Sequence, residues 1–453
     1  MPQVFPFRPL HYPAPTTQAG PAGDISAKVA PPYDVLDAAD KAALLARDPH
    51  NIVAIDLPHV PPKELGPKAA YAAAADTLKA WAESGVLTRD EKPAVYAYRQ
   101  TFEFAGQTHQ RCGMACTVET NPFGPRDGGG ILAHEQTFSG PKEDRLALMR
   151  ATRTQLSPIF GLHADDRGEA TRLTRALMEA RAADFVATTD DGVRHELWTI
   201  TDEAAIADYQ TALAGEDVFI ADGHHRYTTA LNYLASLEEA GDVPQDHPAR
   251  RCMMVLISMS DPGLVIGPTH RVLGGMADYS IDRFIEASTG ALIVRELPAN
   301  PEAIENAMEH AIVEPGHNVL GLLDFASGRC FLATTKAPEP LRTICPDQSE
   351  AWRTLDVAVI QHLIVEKICR PKLNQGEPVE WAFPHSIKEV VEIGRGQETG
   401  AGGGAGFAQL AVIVRPTPLD AVRDISRNNE LMPQKSTFFY PKLATGLFMH
   451  PLA

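Results

Sequence analysis

At 453 residues the chain is too long for one ordinary hydrophobic core, and two or three lobes are expected. Its 44% hydrophobic content is that of a soluble globular protein. A formal net charge of -17 argues against a nucleic-acid coat or an anionic membrane surface as the main partner, because both need a broad basic face. A local basic pocket within an acidic protein suits a small anionic ligand instead. The first residues lack a continuous apolar run and no later stretch reaches the length of a membrane span, so a cytoplasmic protein with no membrane partner is expected. Six cysteines, at 112, 116, 252, 330, 345 and 369, form no Cys-x-x-Cys pair. Reduced thiols are expected, and no zinc site.

In chain order, a proline-rich opening runs through Pro32 and includes the rigid piece Ala30-Pro31-Pro32-Tyr33-Asp34-Val35. A helix begins near Asp37. A longer one carries Tyr71, Ala75, Leu78 and Trp81 and should stop at Gly85. Tyr96, Tyr98, Phe102 and Phe104 alternate with polar residues, Ala105 and Gly106 turn, and residues 108 to 118 return, which predicts a hairpin with one wet face. After Gly128 to Gly130 come helices from about 142 to 155 and about 171 to 183, then a hairpin turning at Asp191-Gly192. Strands are predicted at 253 to 259, 319 to 323 and 330 to 333, a helix from about 354 to 369, and a strand at 407 to 414. Thr417 and Pro418 read as an N-cap and first-turn pair opening a helix through Ile425. The Gly-rich stretch at 400 to 406 is no phosphate loop, since no Lys-Ser or Lys-Thr follows it and it leads into a strand; a flexible surface loop is expected. The sum is a mixed α+β protein with largely antiparallel sheets.

The segment richest in chemistry lies between Asp217 and Leu234. Val218, Phe219 and Ile220 form a short strand, Asp222-Gly223-His224-His225-Arg226 a polar turn, and Tyr227, Ala230, Leu231 and Leu234 the apolar face of a helix. Gly223 permits a sharp turn. The first N–H groups of the helix then face the same side as His224, His225 and Arg226, which together offer aligned donors, a partial positive charge and a guanidinium fork for an anion. The plainer alternative has Asp222 capping the helix, Gly223 serving only the turn and the basic residues solvated.

Two further segments combine acid, base and hydroxyl groups. In His134-Glu135-Gln-Thr-Phe-Ser139-Gly140-Pro141-Lys142-Glu143-Asp144-Arg145, Ser139 and Gly140 form an anion-accepting turn, Lys142 or Arg145 neutralises phosphate, and His134 or Glu135 handles a proton. Alternatively, Pro141, Glu143 and Asp144 only satisfy a first helical turn, which pattern alone favours. In Met432-Pro433-Gln434-Lys435-Ser436-Thr437-Phe-Phe-Tyr440-Pro441-Lys442, Lys435, Ser436 and Thr437 are candidate phosphate contacts, and Tyr440, which could stack on a base, is assigned to packing. Thr269-His270-Arg271 follows a Gly-Pro turn.

Together these segments, with Val29 to Val35 and Leu156-Ser-Pro-Ile-Phe160, resemble the bacterial and archaeal family known as domain of unknown function 1015, in the family's order over nearly the whole chain. The resemblance implies a single family module, with lobes at 1–125, 126–280 (the phosphate-binding core) and 281–453. The Asp-Gly-His-His-Arg turn is similar to the phosphate-binding turn of the ParB and sulfiredoxin superfamily, which includes kinases of free serine. That similarity implies a ParB/sulfiredoxin-like core, with Asp222, Gly223, His224 and Arg226 around nucleotide phosphates, and ATP or ADP, with Mg2+, as cofactor. It also implies a carboxylate that activates the substrate hydroxyl, with Glu135 the candidate and Asp34 behind it. His225 is placed to neutralise or protonate a transferring oxygen. The sulfiredoxin cysteine has no counterpart in this turn, which argues against sulfinic acid reduction. The expected function is phosphate transfer to a small hydroxylated metabolite, with a phosphoserine-type phosphohydrolase or a non-catalytic nucleotide-binding switch as alternatives.

Overall fold

The computed structural model describes residues 3–13, 23–62, 64–135, 139–312, 314–397, 403 and 406–453. The Gly-rich stretch from 400 lies mostly outside them, as do residues 136 to 138. The chain is an α+β protein that divides into two compact units. The first holds residues 1–133, 137–265 and 441–453, and the second 134–136 and 266–440.

Among the described residues, ten strands of the first unit form one mixed sheet. Along its path lie Gly23–Asp24, Phe185–Thr188, Arg194–Ile200, Val95–Phe104, Gln107–Glu119, Arg251–Ser258, Ile159–His163, Val218–Asp222 and Ile131–Leu132. Arg251–Ser258 pairs antiparallel with Gln107–Glu119 on one side and parallel with Ile159–His163 on the other. That strand joins what the sequence divides at residue 125 into two lobes, so both belong to one sheet. The last residues, 441–453, also return to this unit.

The hairpin of Val95–Phe104 and Gln107–Glu119 turns at Ala105 and Gly106, both at positive φ. It does not keep a wet face, since every residue from Arg111 to Val118 is buried. Cys112, Met114, Cys116 and Val118 enter a core with Trp198, Tyr209, Tyr227 and Met254. On the opposite face the buried Arg111 donates to the carbonyl of Pro441 in the returning C-terminal segment. Residue alternation alone does not reveal that second cover.

The helices keep their expected positions with shifted ends. Ala38–Arg47 starts at a capping box built by Asp37 and Asp40. Lys68–Glu83 buries Tyr71, Ala74, Leu78 and Trp81, with Ala74 in place of Ala75. Ser139–Thr152 stops short of residue 155 because Arg153 turns the chain at φ 49°. Glu169–Glu179 begins two residues earlier than expected, after Gly168 at φ 63°.

In the second unit, six strands form an antiparallel sheet in the order Leu292–Leu297, Cys330–Thr335, Val319–Asp324, Ala408–Ile413, Arg271–Gly274 and Glu380–Ala382. Helical residues from Asp356 pack on it through Val357, Ile360, Ile364 and Ile368, with π geometry over Ile360–Cys369. Leu419–Arg427 follows Pro418, but Thr417 does not cap it. The Thr417 hydroxyl instead donates to the Ser436 carbonyl at 2.6 Å. No described helix is long and apolar enough to cross a membrane.

Candidate functional site

The strand Val218–Asp222 is buried at its first four residues and ends in Gly223, whose φ of 97° lies in the left-handed region. Only glycine occupies that region without strain. The helix His224–Ala240 starts at once and is anchored through Tyr227, Ala230, Tyr233 and Leu234. Gly223 offers no side chain to cap it, so the positive end of a 17-residue helix is directed at the turn.

Asp222 does not cap this helix. Its carboxylate takes one cation on each oxygen, Arg226 Nη2 at 2.5 Å on Oδ2 and Lys442 Nζ on Oδ1. Burial pushes the carboxyl up, but Lys442 and Arg226 outweigh burial and hold it well below the usual carboxylate range. The Arg226 fork is therefore occupied, with Nη1 donating to the Pro158 carbonyl and Nη2 to Asp222. His224 is buried within this turn and His225 half-buried.

Arg145 is a buried strut within the first unit. Its Nε donates to Asp144 at 2.7 Å and its Nη1 to the Asp56 carbonyl at 2.6 Å, and its guanidinium lies 3.9 Å from the centre of the Tyr33 ring. Asp144 in turn accepts from Tyr71 and meets His59, each at 2.8 Å. Asp56 accepts from Ser157 at 3.2 Å. Its carboxyl is raised because burial outweighs the opposing pull of Arg145, Arg226 and that hydrogen bond. Tyr33, Asp56, Arg145, Ser157 and Arg226 line one cavity of about 40 Å3. Arg145 and Arg226 thus meet at one cavity. Lys142 is half-buried near the start of Ser139–Thr152, and Asp34 is half-buried in the single turn Tyr33–Val35.

His134, Glu135, Lys435 and Ser436 come together in the second unit. Glu135 Oε1 accepts from the Lys435 N–H at 2.8 Å, and His134 Nε2 lies 2.9 Å from the Thr437 hydroxyl. The His134 carbonyl accepts from the Met432 N–H at 2.7 Å. Lys435 sits at φ 58° with an exposed side chain. Arg271, 2% exposed, holds this loop from below by donating to the carbonyls of Lys435 at 3.0 Å and Gln434 at 3.4 Å. Burial lowers the Arg271 pKa to about 9, with Glu135 opposing. Ser436 is buried and its hydroxyl donates to the Pro433 carbonyl, so it faces its own loop.

Sequence reasoning passed over Lys442, Asp56 and Ser157. Each acts through a partner far away in the chain: Lys442 and Asp222 are 220 residues apart, and Ser157 and Asp56 101. The only local hint is that Lys442 ends the motif beginning at Met432. Among the described residues no group of three or more His, Cys, Asp or Glu is arranged to hold a metal ion.

The chain is an acidic α+β protein in which a buried strand, a left-handed glycine and a helix start rich in basic residues follow one another. The chain belongs to the family described as Protein of unknown function (DUF1015), whose profile matches residues 4–358. Among proteins of curated function, none matches this chain. Among solved structures it is similar to a free serine kinase in complex with AMP, at 13% identity over 72% of this chain and 94% of that one, TM-score 0.32. It is also similar to a conserved hypothetical protein from Pyrococcus furiosus, at 13% identity over 71% and 96%, TM-score 0.31. A third similar structure is SbnI with C-terminal truncation from Staphylococcus aureus, at 8% identity over 75% and 87%, TM-score 0.33.

Proposed function

We propose that the chain is a nucleotide-dependent phosphotransferase acting on a small hydroxylated metabolite, with free serine the first substrate to test. The observation that supports this reading best is the turn at Asp222 to Arg226. There a helix N-terminus and two cations, Arg226 and Lys442, surround a single carboxylate. This leaves positive potential for phosphoryl oxygens. Asp222, Gly223, His224 and Arg226 form the nucleotide side of the site, with Lys142 of the same unit as a further candidate phosphate contact; Lys435 is a separate candidate in the second unit. Arg145, buried as it is, supports the turn from beneath. His225 and Asp34, in the same unit as the turn, are the candidates for proton handling; His134 and Glu135 are candidates within the second unit.

In the reaction, one of these bases takes the proton of the acceptor hydroxyl, its oxygen attacks the terminal phosphorus, and the bond to the departing nucleotide oxygen breaks. A magnesium ion, if used, would be held largely by the phosphates with one or two carboxylates.

The test is calorimetry and thermal shift with ATP, ADP and AMP, followed by product analysis with serine and phosphoserine. Binding at about a hundred times the dissociation constant should add roughly 2.7 kcal/mol of stability. Formation of phosphoserine with loss of the nucleotide's terminal phosphate is the expected result. Phosphate release from phosphoserine without nucleotide would favour a phosphohydrolase, and nucleotide binding without turnover a switch protein. Flat traces with every phosphate ligand would overturn the reading. Arg226→Ala should weaken nucleotide binding by about 1.5 to 3 kcal/mol. Because Arg226 also holds Pro158, its melting temperature is measured in parallel.

A further inference from the structure

Lys442 is the second residue of the segment 441–453, which rejoins the first unit after residues 266–440 have formed the second. The backbone on either side of it is fixed by two side chains each only 1% exposed. Gln100 Nε2 donates to the Lys442 carbonyl at 3.0 Å, and Arg111 Nη2 donates to the Pro441 carbonyl at 2.5 Å. Arg111 Nη2 also donates to Gln100 Oε1 at 2.5 Å, so the clamp is one connected unit. Burying a guanidinium and an amide is costly unless their hydrogen bonds are used. Here they are used to fix the path of the chain at residues 441 and 442.

That path delivers the Lys442 ammonium to the carboxylate already paired with Arg226. Arg111 lies within electrostatic range of Asp261 and, less strongly, of the same Asp222 carboxylate. Asp222 therefore carries two cations at a helix N-terminus, one of which, Arg226, also acts on Asp56. A structural ion pair needs one partner for Asp222, and Arg226, four residues on and part of the same helix, already supplies it. A second cation brought across 220 residues and held by a dedicated clamp calls for a further anion. The ammonium has three donors, one of them directed to Asp222, and its side chain is 27% exposed.

We propose that Lys442 is a direct phosphate contact at the Asp-Gly-His-His-Arg turn, with Asp222 as the positioning residue that holds it beside Arg226 and Gln100 and Arg111 as the clamp that presents it. This rests on the phosphotransferase reading of the turn, and it names a ligand-binding residue of that same site.

The experiment measures the ADP dissociation constant by calorimetry at two salt concentrations, with melting temperatures, for the full chain and for Lys442→Ala, Lys442→Arg, Asp222→Asn and Arg226→Ala. Lys442→Ala should weaken ADP binding about 10- to 100-fold and flatten its salt dependence. Lys442→Arg, which keeps a cation, should recover most of the affinity. Asp222→Asn should weaken binding while leaving the salt dependence close to that of the parent, since both cations remain but lose their alignment. If Arg226→Ala weakens ADP binding and Lys442→Ala lowers only the melting temperature, Lys442 merely neutralises Asp222 and the proposal fails while the wider reading stands. If the unsubstituted chain binds neither ADP nor inorganic pyrophosphate, both fall together.

Discussion

The turn at Asp222 to Arg226 and the loop at residues 432 to 437 each put a basic side chain next to a backbone in the left-handed region, by opposite means. In the first, the left-handed residue is Gly223, and the conformation carries no steric cost. The strand before it and the helix after it are buried on their own apolar residues, so the turn follows from local sequence. In the second, the left-handed residue is Lys435, for which the conformation costs on the order of 1–2 kcal/mol. It is held by tertiary partners, the Glu135 carboxylate on its N–H and the buried Arg271 on its carbonyl. A loop held that way depends on contacts some 165 to 300 residues away and has no local signature. The turn should therefore depend most on its own glycine, and the loop on its distant partners.

The largest effect should come from Gly223→Val. A β-branched residue at φ 97° is strained, and a Cβ there would stand 3.1 Å from Arg226 Nε. A loss on the order of 2 kcal/mol or more is expected, together with ADP binding. Gly223→Asn should recover part of both, because asparagine tolerates the left-handed region. Thermal melts and calorimetry on the two variants check this; equal damage from Val and Asn would mean that space, not φ, is the constraint.

A second contrast lies in how the units answer acid. Among the described residues, burial lowers His163 and His450 to about 4 and His195 to about 3 in the first unit. His195 is also depressed by Arg111, and Asp165 opposes the shift at His163. In the second unit, burial with His385 and Arg271 lowers His270 to about 3. A folded-state pKa below the unfolded value of about 6.5 favours the neutral ring. Its contribution is therefore complete above that pH and is lost as pH falls towards the folded value. Each such histidine removes about 1.4 kcal/mol per pH unit through that window. The first unit should thus lose protection first between about pH 6 and pH 4, and Asp222 adds its own loss only below the ordinary carboxylate range. Hydrogen exchange resolved by unit at several pH values tests this, and parallel loss in both units would contradict it.

These contrasts also mark what the sequence discloses. The strand, glycine and helix of the turn at Asp222 to Arg226 are legible because every determinant lies within a span of about twenty residues and the apolar spacing changes from strand to helix. The hairpin with Ala105 and Gly106 at its turn is legible for the same reason. The joining of residues before and after 125 into one sheet is not, because it depends on Arg194–Ile200 pairing with Val95–Phe104 and on Arg251–Ser258 pairing with Gln107–Glu119, partners about ninety or more residues away. At the site, the identity of Arg226 is local, but its engagement with Pro158 and the arrival of Lys442 are tertiary. Arg145 and Ser436 illustrate the converse. Both have chemistry suited to phosphate, yet burial commits Arg145 to Asp144 and Asp56, and Ser436 to Pro433. Residue type announces a capability; only burial and partners decide whether a ligand can meet it.

The smallest expected effect is the most discriminating for the loop. Lys435→Gly removes the left-handed strain but adds freedom to the unfolded chain, about 0.4–1 kcal/mol in the opposite direction. The relief exceeds the cost by roughly 0.5 to 1 kcal/mol, so the melting temperature should rise slightly. Lys435→Ala keeps the strain and removes only the ammonium, so it should be slightly less stable than the glycine variant. If the exposed ammonium contacts phosphate, both substitutions weaken ADP binding equally, because both lack it. If the loop instead matters through its shape, Lys435→Ala keeps affinity, while Lys435→Gly loses some through the added flexibility. A marked loss of stability in Lys435→Gly would show that the side chain packs, and that Glu135 and Arg271 do not suffice to hold the loop. Measuring stability and affinity for this pair separates strain, charge and packing at one position, which no single substitution there can do.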